Sequence, residues 1–376
     1  MTTIVISPPA AGNIGDQALV ESVLHKIVGD VDLVTRKKGD VLLDHVARSG
    51  RVITEVVLPN LLYGVGPPRL KDVQTLRELT RDASSFLVIG ADIMDGRYCA
   101  RASIARARTA ALAAELGVPA AVLGFSWSAQ PKFRARRALT KANESGVVLY
   151  GRDPASLRRL QQDGLKPVAA ADVVFTTADA DVDSAQRLLG DLGVSQSDDY
   201  VLVNASGLVN SSSIQTNAYV DAVRAILAKG IVPVLLPHVS RGSADDQDAL
   251  DKLVDALGAP VPRVRSLQLP DVVRGLCCRA TAVVTGRMHL GVMALRMGIP
   301  PVIVSTQGKV EGLLEMFDMP ECCVEPGPGL SALPVATAKV VENRSTYISK
   351  IRQRLPEVIG LAERNFDALR PDSDTP

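Results

Sequence analysis

Val283-Val284-Thr285-Gly286-Arg287-Met288-His289-Leu290-Gly291-Val292-Met293-Ala294-Leu295-Arg296-Met297-Gly298-Ile299-Pro300-Pro301-Val302 spells a strand, a tight turn, a helix, a stop and a second strand. Ala282-Val283-Val284 is short, apolar and β-branched, the composition of a buried parallel strand. Gly286 supplies the turn. From Arg287 to Met297 the chain is apolar on nearly every face, which predicts a helix buried all round. Gly298 suits the residue after the helix, and Pro300-Pro301 forbid its continuation. Val302-Ile303-Val304 is the next strand. Arg287 and His289 are the polar exceptions. They stand at a helix N-terminus just past the carboxyl end of a strand, where open α/β sheets bind ligands. The unpaired N–H groups there attract an anion, and the same dipole holds an unliganded His289 neutral. A histidine so placed exchanges protons near neutral pH. The alternative is a buried Arg and His that satisfy loop carbonyls.

The same strand–loop–helix unit recurs on both sides of this motif. Thr3 to Ser7 is a first strand, Pro8 to Asp16 a loop, and Gln17 to Val28 a helix. The loop Gly12-Asn13-Ile14-Gly15-Asp16 lacks the third glycine of the dinucleotide fingerprint and the Gly-Lys-Ser/Thr of a Walker loop. Asn13 and Asp16 can contact a ligand there, or Asp16 simply caps the helix. Phe86 to Ile89 is a buried strand that runs into Gly90-Ala91-Asp92. A helix follows over 100–116, a strand over 120–123 and another over 146–149. Arg152 follows that strand, with Asp153 as N-cap and Pro154 as first residue of a helix reaching Gln162. Ala171 to Phe175 is read as a further strand end, and Val182 to Leu192 as a helix. The alternation resets near residue 200, with strands over 200–204 and 231–236, the latter leading to Pro237-His238. Helices follow over 217–229, 247–257 and 269–277. From Val335 to Ala368 the pattern is helical, and residues 370–376 have the composition of a disordered tail.

This alternation predicts an α/β chain of two Rossmann-like domains facing across a cleft. The expected boundaries are 1–185 for an N-terminal, acceptor-side domain and 195–330 for a C-terminal, donor-side domain. Residues 335–368 are expected as a C-terminal helix that packs back on the first domain.

Composition narrows the function. The chain has 376 residues, 47% of them hydrophobic and 22% charged, enough for two cores. A net charge of +1 and 3% aromatic residues argue against a nucleic-acid partner. Cys99, Cys277, Cys278, Cys322 and Cys323 form neither a disulfide framework nor a zinc spacing. With no signal-like start and no uninterrupted apolar span, the expectation is a cytoplasmic protein. Lys132 to Lys141 is a basic run, with Arg97, Arg101 and Arg108 near helical spacing in the same half. It suits a solvated helix face, an anionic acceptor or peripheral contact with the inner face of the membrane.

Four strand ends therefore carry polar groups that can converge: Asn13 with Asp16, Arg152, His238, and Arg287 with His289. Two arginine forks match two anionic groups on one substrate. His25 lies within a helix and His45 in a polar segment, both expected as structural or solvated. No metal-ligand cluster is expected; Asp245-Asp246 reads as a capped, solvated loop or a cation contact. No Gly-x-Ser-x-Gly elbow is present.

In these residues the chain resembles the polysaccharide pyruvyl transferase family over about residues 3–325. The motifs are Gly286-Arg287-Met288-His289-Leu290 with Ala294 and Gly298-Ile299-Pro300, then Gly12-Asn13-Ile14-Gly15-Asp16 with Ala18. Gly151-Arg152-Asp153 with Ser156, Ala171-Asp172, and Pro237-His238 with Asp245-Asp246 complete them. Gly90-Ala91-Asp92 stands where the family often has a run of glycines. The resemblance implies a GT-B-like fold and phosphoenolpyruvate as donor, with no separate cofactor. The acceptor it implies is a sugar of a cell-surface polysaccharide or a lipid-linked precursor. The product is a cyclic pyruvate ketal, with phosphate released. On that basis His289 is expected as general acid, and Arg152 and Arg287 as holders of the donor's phosphate and carboxylate. Asn13, Asp16, Asp92, His238, Gly286, Met288 and Leu290 are expected to bind substrate, with Asn13 and Asp16 across the cleft from the donor. A nucleotide-sugar glycosyltransferase and a non-catalytic binding protein of the same fold are the rival readings.

Overall fold

The computed structural model describes residues 2–44, 46, 51–208, 213–242, 245–305 and 308–369. His45 and the tail 370–376 lie outside them. The chain forms two compact units, one of Met1–Ala11, Asp16–Thr177 and Val358–Pro376, the other of Gly12–Gly15 and Ala178–Glu357.

The first unit is built on seven parallel strands: β1 (Thr2–Ile6), β2 (Asp30–Thr35), β3 (Ile53–Val57), β4 (Ser85–Ala91), β5 (Ala120–Phe125), β6 (Val148–Gly151) and β7 (Pro167–Ala169). Their order is β3-β2-β1-β4-β5-β6-β7. The central strands show no alternation of buried and exposed positions. β4 and β5 are buried throughout, as strands covered on both faces must be. The helices are α1 (Ile14–Lys26), α2 (Gly66–Arg81), α3 (Ala100–Glu115), α4 (Phe133–Glu144) and α5 (Pro154–Gln162). Asp153 caps α5 by accepting from the Ser156 amide at 2.7 Å, with Pro154 in the first turn. Ala171 to Phe175 departs from expectation. The short β7 ends before it, at Ala169, and Val173–Thr176 is a 3-10 turn, because the Asp172 carboxylate takes the Val174 amide and starts a turn instead.

The second unit has strands β8 (Tyr200–Asn204), β9 (Val232–Leu235), β10 (Ala282–Thr285), β11 (Pro301–Val304) and β12 (Cys323–Val324), in the order β12-β11-β10-β8-β9. The pairings within this sheet are parallel. Its helices are α6 (Val182–Asp191), α7 (Ser213–Leu227), α8 (Asp246–Leu257), α9 (Pro270–Arg279), α10 (Met288–Arg296), α11 (Val310–Glu315), α12 (Leu333–Glu342) and α13 (Arg344–Glu363). The single helical pattern read over 335–368 is thus two helices, separated at Asn343, followed by a 3-10 turn over Arg364–Leu369. α12 packs on α7 and β11 within this unit, and the chain rejoins the first unit only from Val358 onward. α6 likewise packs on α9. All five cysteines are free. Among the described residues no helix is long and apolar enough to cross a membrane.

Candidate active site

The site grows from the carboxyl end of β10. Thr285 Oγ1 accepts the Arg287 amide at 2.8 Å and donates to Asn204 Oδ1 at 3.1 Å, which ties the turn to the end of β8. Gly286 passes so close to Ser206 that an added Cβ would lie 2.6 Å from the serine Cβ. Arg287 is the N-cap residue of α10 and makes no side-chain cap there, and the helix end carries the positive pole of the helix dipole.

Arg287 is nearly buried, and its guanidinium grips Asp246 through Nη2 at 2.6 Å and Nε at 3.0 Å. Asp246 itself is wholly buried. Its two oxygens also accept from Asn204 Nδ2 at 2.9 Å, the Gly207 amide at 3.1 Å, and the His238 and Val239 amides at 3.0 Å each. One carboxylate therefore fixes the loops after β8 and β9 and the starts of α8 and α10. The expected solvated loop is corrected in part. Asp245 caps α8 through the Gln247 amide at 2.8 Å, but Asp246 is the buried hub. Because the Arg287–Asp246 pair is neutral as a unit, the α10 N–H groups supply much of the attraction for an anion.

His238 is 1% exposed, and neither ring nitrogen has a hydrogen-bond partner among the described residues. Burial, reinforced by the neighbouring His289 and Arg287, pushes its imidazole well below the ordinary histidine range and keeps it neutral. Tyr219 is buried nearby. Burial and the Asp246 carboxylate raise its hydroxyl above the usual tyrosine range.

The N-terminal loop belongs to this same unit. Asn13 forms an antiparallel bridge with Val239, the Ile14 amide donates to the His238 carbonyl at 3.1 Å, and the Ser240 amide donates to the Gly12 carbonyl at 2.8 Å. A Cβ on Gly15 would come within 2.6 Å of His289 Nδ1. Gly12 has φ +75, and a Cβ there would meet the Ser240 carbonyl at 2.5 Å. Asn13, expected across from the donor residues, is therefore with them, and its Oδ1 accepts the Gly15 amide at 3.0 Å.

The structure thus brings together Asn13, His238, Gly286, Arg287, Met288 and His289 in the second unit. Leu290 is corrected: its side chain is 0% exposed and belongs to the core. Asp16, Asp92 and Arg152 belong to the first unit. Asp16 is buried in the first turn of α1, where its charge suits the helix end, and Asp92 is half-buried after β4. Arg152 is fully buried. Its Nη1 pairs with Asp172 at 2.8 Å and its Nε donates to Ser126 Oγ at 2.8 Å, so this guanidinium clamps the ends of β5 and β6 to the turn after β7. Asn204, Thr285 and Tyr219 were not singled out by sequence. Asp246 was named only as half of the Asp245-Asp246 doublet, with nothing to mark it as the buried member.

The polysaccharide pyruvyl transferase family matches residues 13–308, most of the chain and nearly all of these motifs. The chain belongs to that family. No curated protein sequence matches it significantly. Solved structures share its fold. The putative UDP-N-acetylglucosamine 2-epimerase of Listeria monocytogenes aligns with TM-score 0.65 at 14% identity, covering 100% of this chain and 98% of that one. The UDP-GlcNAc 2-epimerase of Neisseria meningitidis, bound to UDP-GlcNAc, gives TM-score 0.62 at 12% identity, with 98% of each chain covered. Anabaena Alr3699/HepE, in complex with UDP and glucose, gives 0.61 at 13% identity, covering 98% of this chain and 96% of that one. At such identities the likeness is one of fold, that of the GT-B epimerases and glycosyltransferases.

Proposed function

We propose that this member of the family moves the enolpyruvyl group of phosphoenolpyruvate onto a sugar of a cell-surface polysaccharide or glycolipid precursor, as a cyclic ketal. The observation that carries the reading is the joint placement of Arg287, His289 and the N-terminal end of α10, held by Asp246. The donor has a phosphate and a carboxylate. The α10 N–H groups and Arg287 are suited to one of them. His289 delivers a proton to the methylene carbon, and a sugar hydroxyl adds to the cationic C2. Loss of phosphate regenerates the cation, and the second hydroxyl closes the ketal. One hydroxyl proton replaces the proton His289 gave, and the other leaves with phosphate. Arg152, clamped to Asp172, acts in this scheme by holding the first unit's strand ends and not as a donor ligand.

Peripheral contact with the inner face of the membrane is part of the reading. The basic run forms α4. Arg136 pairs with Asp163, whereas Arg134, Arg137 and Lys141 join Arg69 and Arg108 along a groove of about 1010 Å³ beside α2 and α3. Such a surface suits anionic lipid.

Thermal melting with millimolar phosphoenolpyruvate tests the donor assignment without an acceptor. A ligand at a hundredfold excess over Kd stabilises by about 2.7 kcal/mol, several degrees in Tm. The shift is expected in the wild type and absent in Arg287→Ala. The relatives in complex with UDP or UDP-GlcNAc supply the competing outcome: a shift with UDP and none with phosphoenolpyruvate replaces this reading with a nucleotide-sugar transferase.

A further inference from the structure

In the first unit α3 packs on both α2 and α4, and the three helices leave an open groove of about 1010 Å³ between them. Ligand sites usually measure about 300–1,000 Å³. The floor is hydrocarbon: Val73, Ile104, Leu112 and Ala138 are half-buried there and keep apolar surface uncovered. Thr109 and Ser145 also line it, but their hydroxyls donate to the Arg106 and Lys141 carbonyls at 2.9 and 3.0 Å. The rims are basic. Arg134, Arg137 and Lys141 follow one another at helical spacing, so they share one side of α4, and Arg108 stands on α3. All four are exposed, and none forms an ion pair among the described residues. Glu115 and Glu144 are the last residues of α3 and α4. These two helices join neighbouring parallel strands and run the same way, so the groove is acidic at that one end and positive over the rest. Phe133, the first residue of α4, is 65% exposed beside it.

We propose that this groove seats a single hydrocarbon chain that ends in a phosphate or diphosphate, the chain along the floor and the head among Arg108, Arg134 and Arg137. A planar bilayer meets the rims of a groove and not its floor, so the uncovered apolar residues call for a narrower occupant, and a lone chain gains by burying its methylenes there. Three guanidinium forks match a multiply charged head better than one carboxylate. An acidic glycan fits less well, because the hydroxyls on hand to read its sugars are spent on helix carbonyls. The lipid chemistry follows from the groove itself. That the lipid is the carrier of the acceptor glycan rests on the function proposed above.

Calorimetric titration of the full chain with farnesyl diphosphate, kept below its micelle concentration, and with inorganic diphosphate tests this, because the two share a head and differ by the chain. Farnesyl diphosphate is expected to bind at least about tenfold more tightly, with geranyl diphosphate between them. Arg134→Glu combined with Arg137→Glu, both at exposed positions, is expected to weaken farnesyl diphosphate at least about tenfold. Arg287→Ala is expected to leave it unchanged, which separates the groove from the donor site. Leu112→Gln keeps every charge and is expected to cut the preference for the farnesyl chain several-fold. Equal affinity for the two diphosphates, a chain preference that survives both groove variants, or its loss in Arg287→Ala overturns the proposal. So does tighter binding of oligogalacturonate than of farnesyl diphosphate, which would make this a glycan groove. Capture by phosphatidylglycerol vesicles without binding of farnesyl diphosphate also overturns it, and leaves the flat membrane contact standing. Binding of farnesyl diphosphate by a protein that ignores such vesicles supports the groove and removes the flat contact. The melting shift with phosphoenolpyruvate reports on the donor site whichever of these is found.

Discussion

His238 carries the clearest pH signature of any residue in the second unit. Its imidazole is held well below the usual histidine range by burial and by His289 and Arg287. Asp246, bonded to its own amide, is the carboxylate nearest in the network. The folded pKa lies below the unfolded value of about 6.5. Above that pH the ring is neutral in both states and adds no slope. Below it, the unfolded chain takes up a proton that the folded chain refuses, so stability falls as pH drops. The loss is about 1.4 kcal/mol per pH unit until the folded value is reached. Urea denaturation between about pH 5 and 7, the span around that unfolded value, is expected to show this slope in the wild type and a shallower one in His238→Gln. Parallel slopes would mean that the ring is solvated. At this scale the sequence was legible where a polar residue interrupts an apolar run, as Arg287 and His289 do. It was misleading at Arg152, because a strand end beside a helix start suits a ligand arginine and a buried clamp equally. What decides between them is Asp172, 20 residues away, which only the fold brings to 2.8 Å. The part Asp246 plays as a hub was hidden for the same reason: its partners lie past the ends of β8, β9 and β10, far apart in the chain.

Elements were readable wherever breakers bracket an apolar run. β10 and α10 are set off by Gly286, Gly298 and Pro300, and α5 by Asp153 and Pro154. α2 was not foreseen, because Gly66-Pro67-Pro68 reads as a loop and the helix buries only Asp72, Leu76 and Thr80. Nor did any sequence signal assign Gly12–Gly15 to the second unit, since hydrogen bonds to His238 and Ser240 do that. That loop sets the position of His289. A methyl group on Gly15 would lie 2.6 Å from Nδ1 and 2.7 Å from Cβ of the histidine, so ring or loop must move. With His289 as the proposed acid, Gly15→Ala is expected to reduce turnover by about 100-fold, the usual result of displacing a reacting group by about 1 Å. The overpacking itself costs about 1–3 kcal/mol, so the protein should remain folded. Phosphate release with a competent acceptor, set beside the melting temperature, checks both halves. Normal turnover in a folded Gly15→Ala protein would remove His289 from the chemistry.

Over the whole molecule the chain changes units four times, at Gly12, Asp16, Ala178 and Val358. The last change returns the end of α13 and the residues after it to the first sheet. Lys26 and Glu363 form an ion pair at 2.6 Å there. Both groups are part-exposed, and such pairs add little. Asn365 matters more. It is 0% exposed, its Oδ1 accepts the Gly124 amide at 2.7 Å, and its Nδ2 donates to the Ala171 carbonyl at 2.9 Å. The returning segment thereby closes backbone groups at the end of β5 and after β7 that would otherwise be buried without partners. Asn365→Ala leaves them so, at a cost of about 1–3 kcal/mol for each group that finds no new partner. The loss falls on one unit. Hydrogen exchange followed by mass spectrometry is expected to show faster exchange over β5 and β6 in the variant, with β8, β10 and β11 unchanged. Uniform loss of protection in both sheets would mean that the two units unfold as one cooperative body, and that the last segment is a strut for the entire chain and not a closure for the first sheet alone.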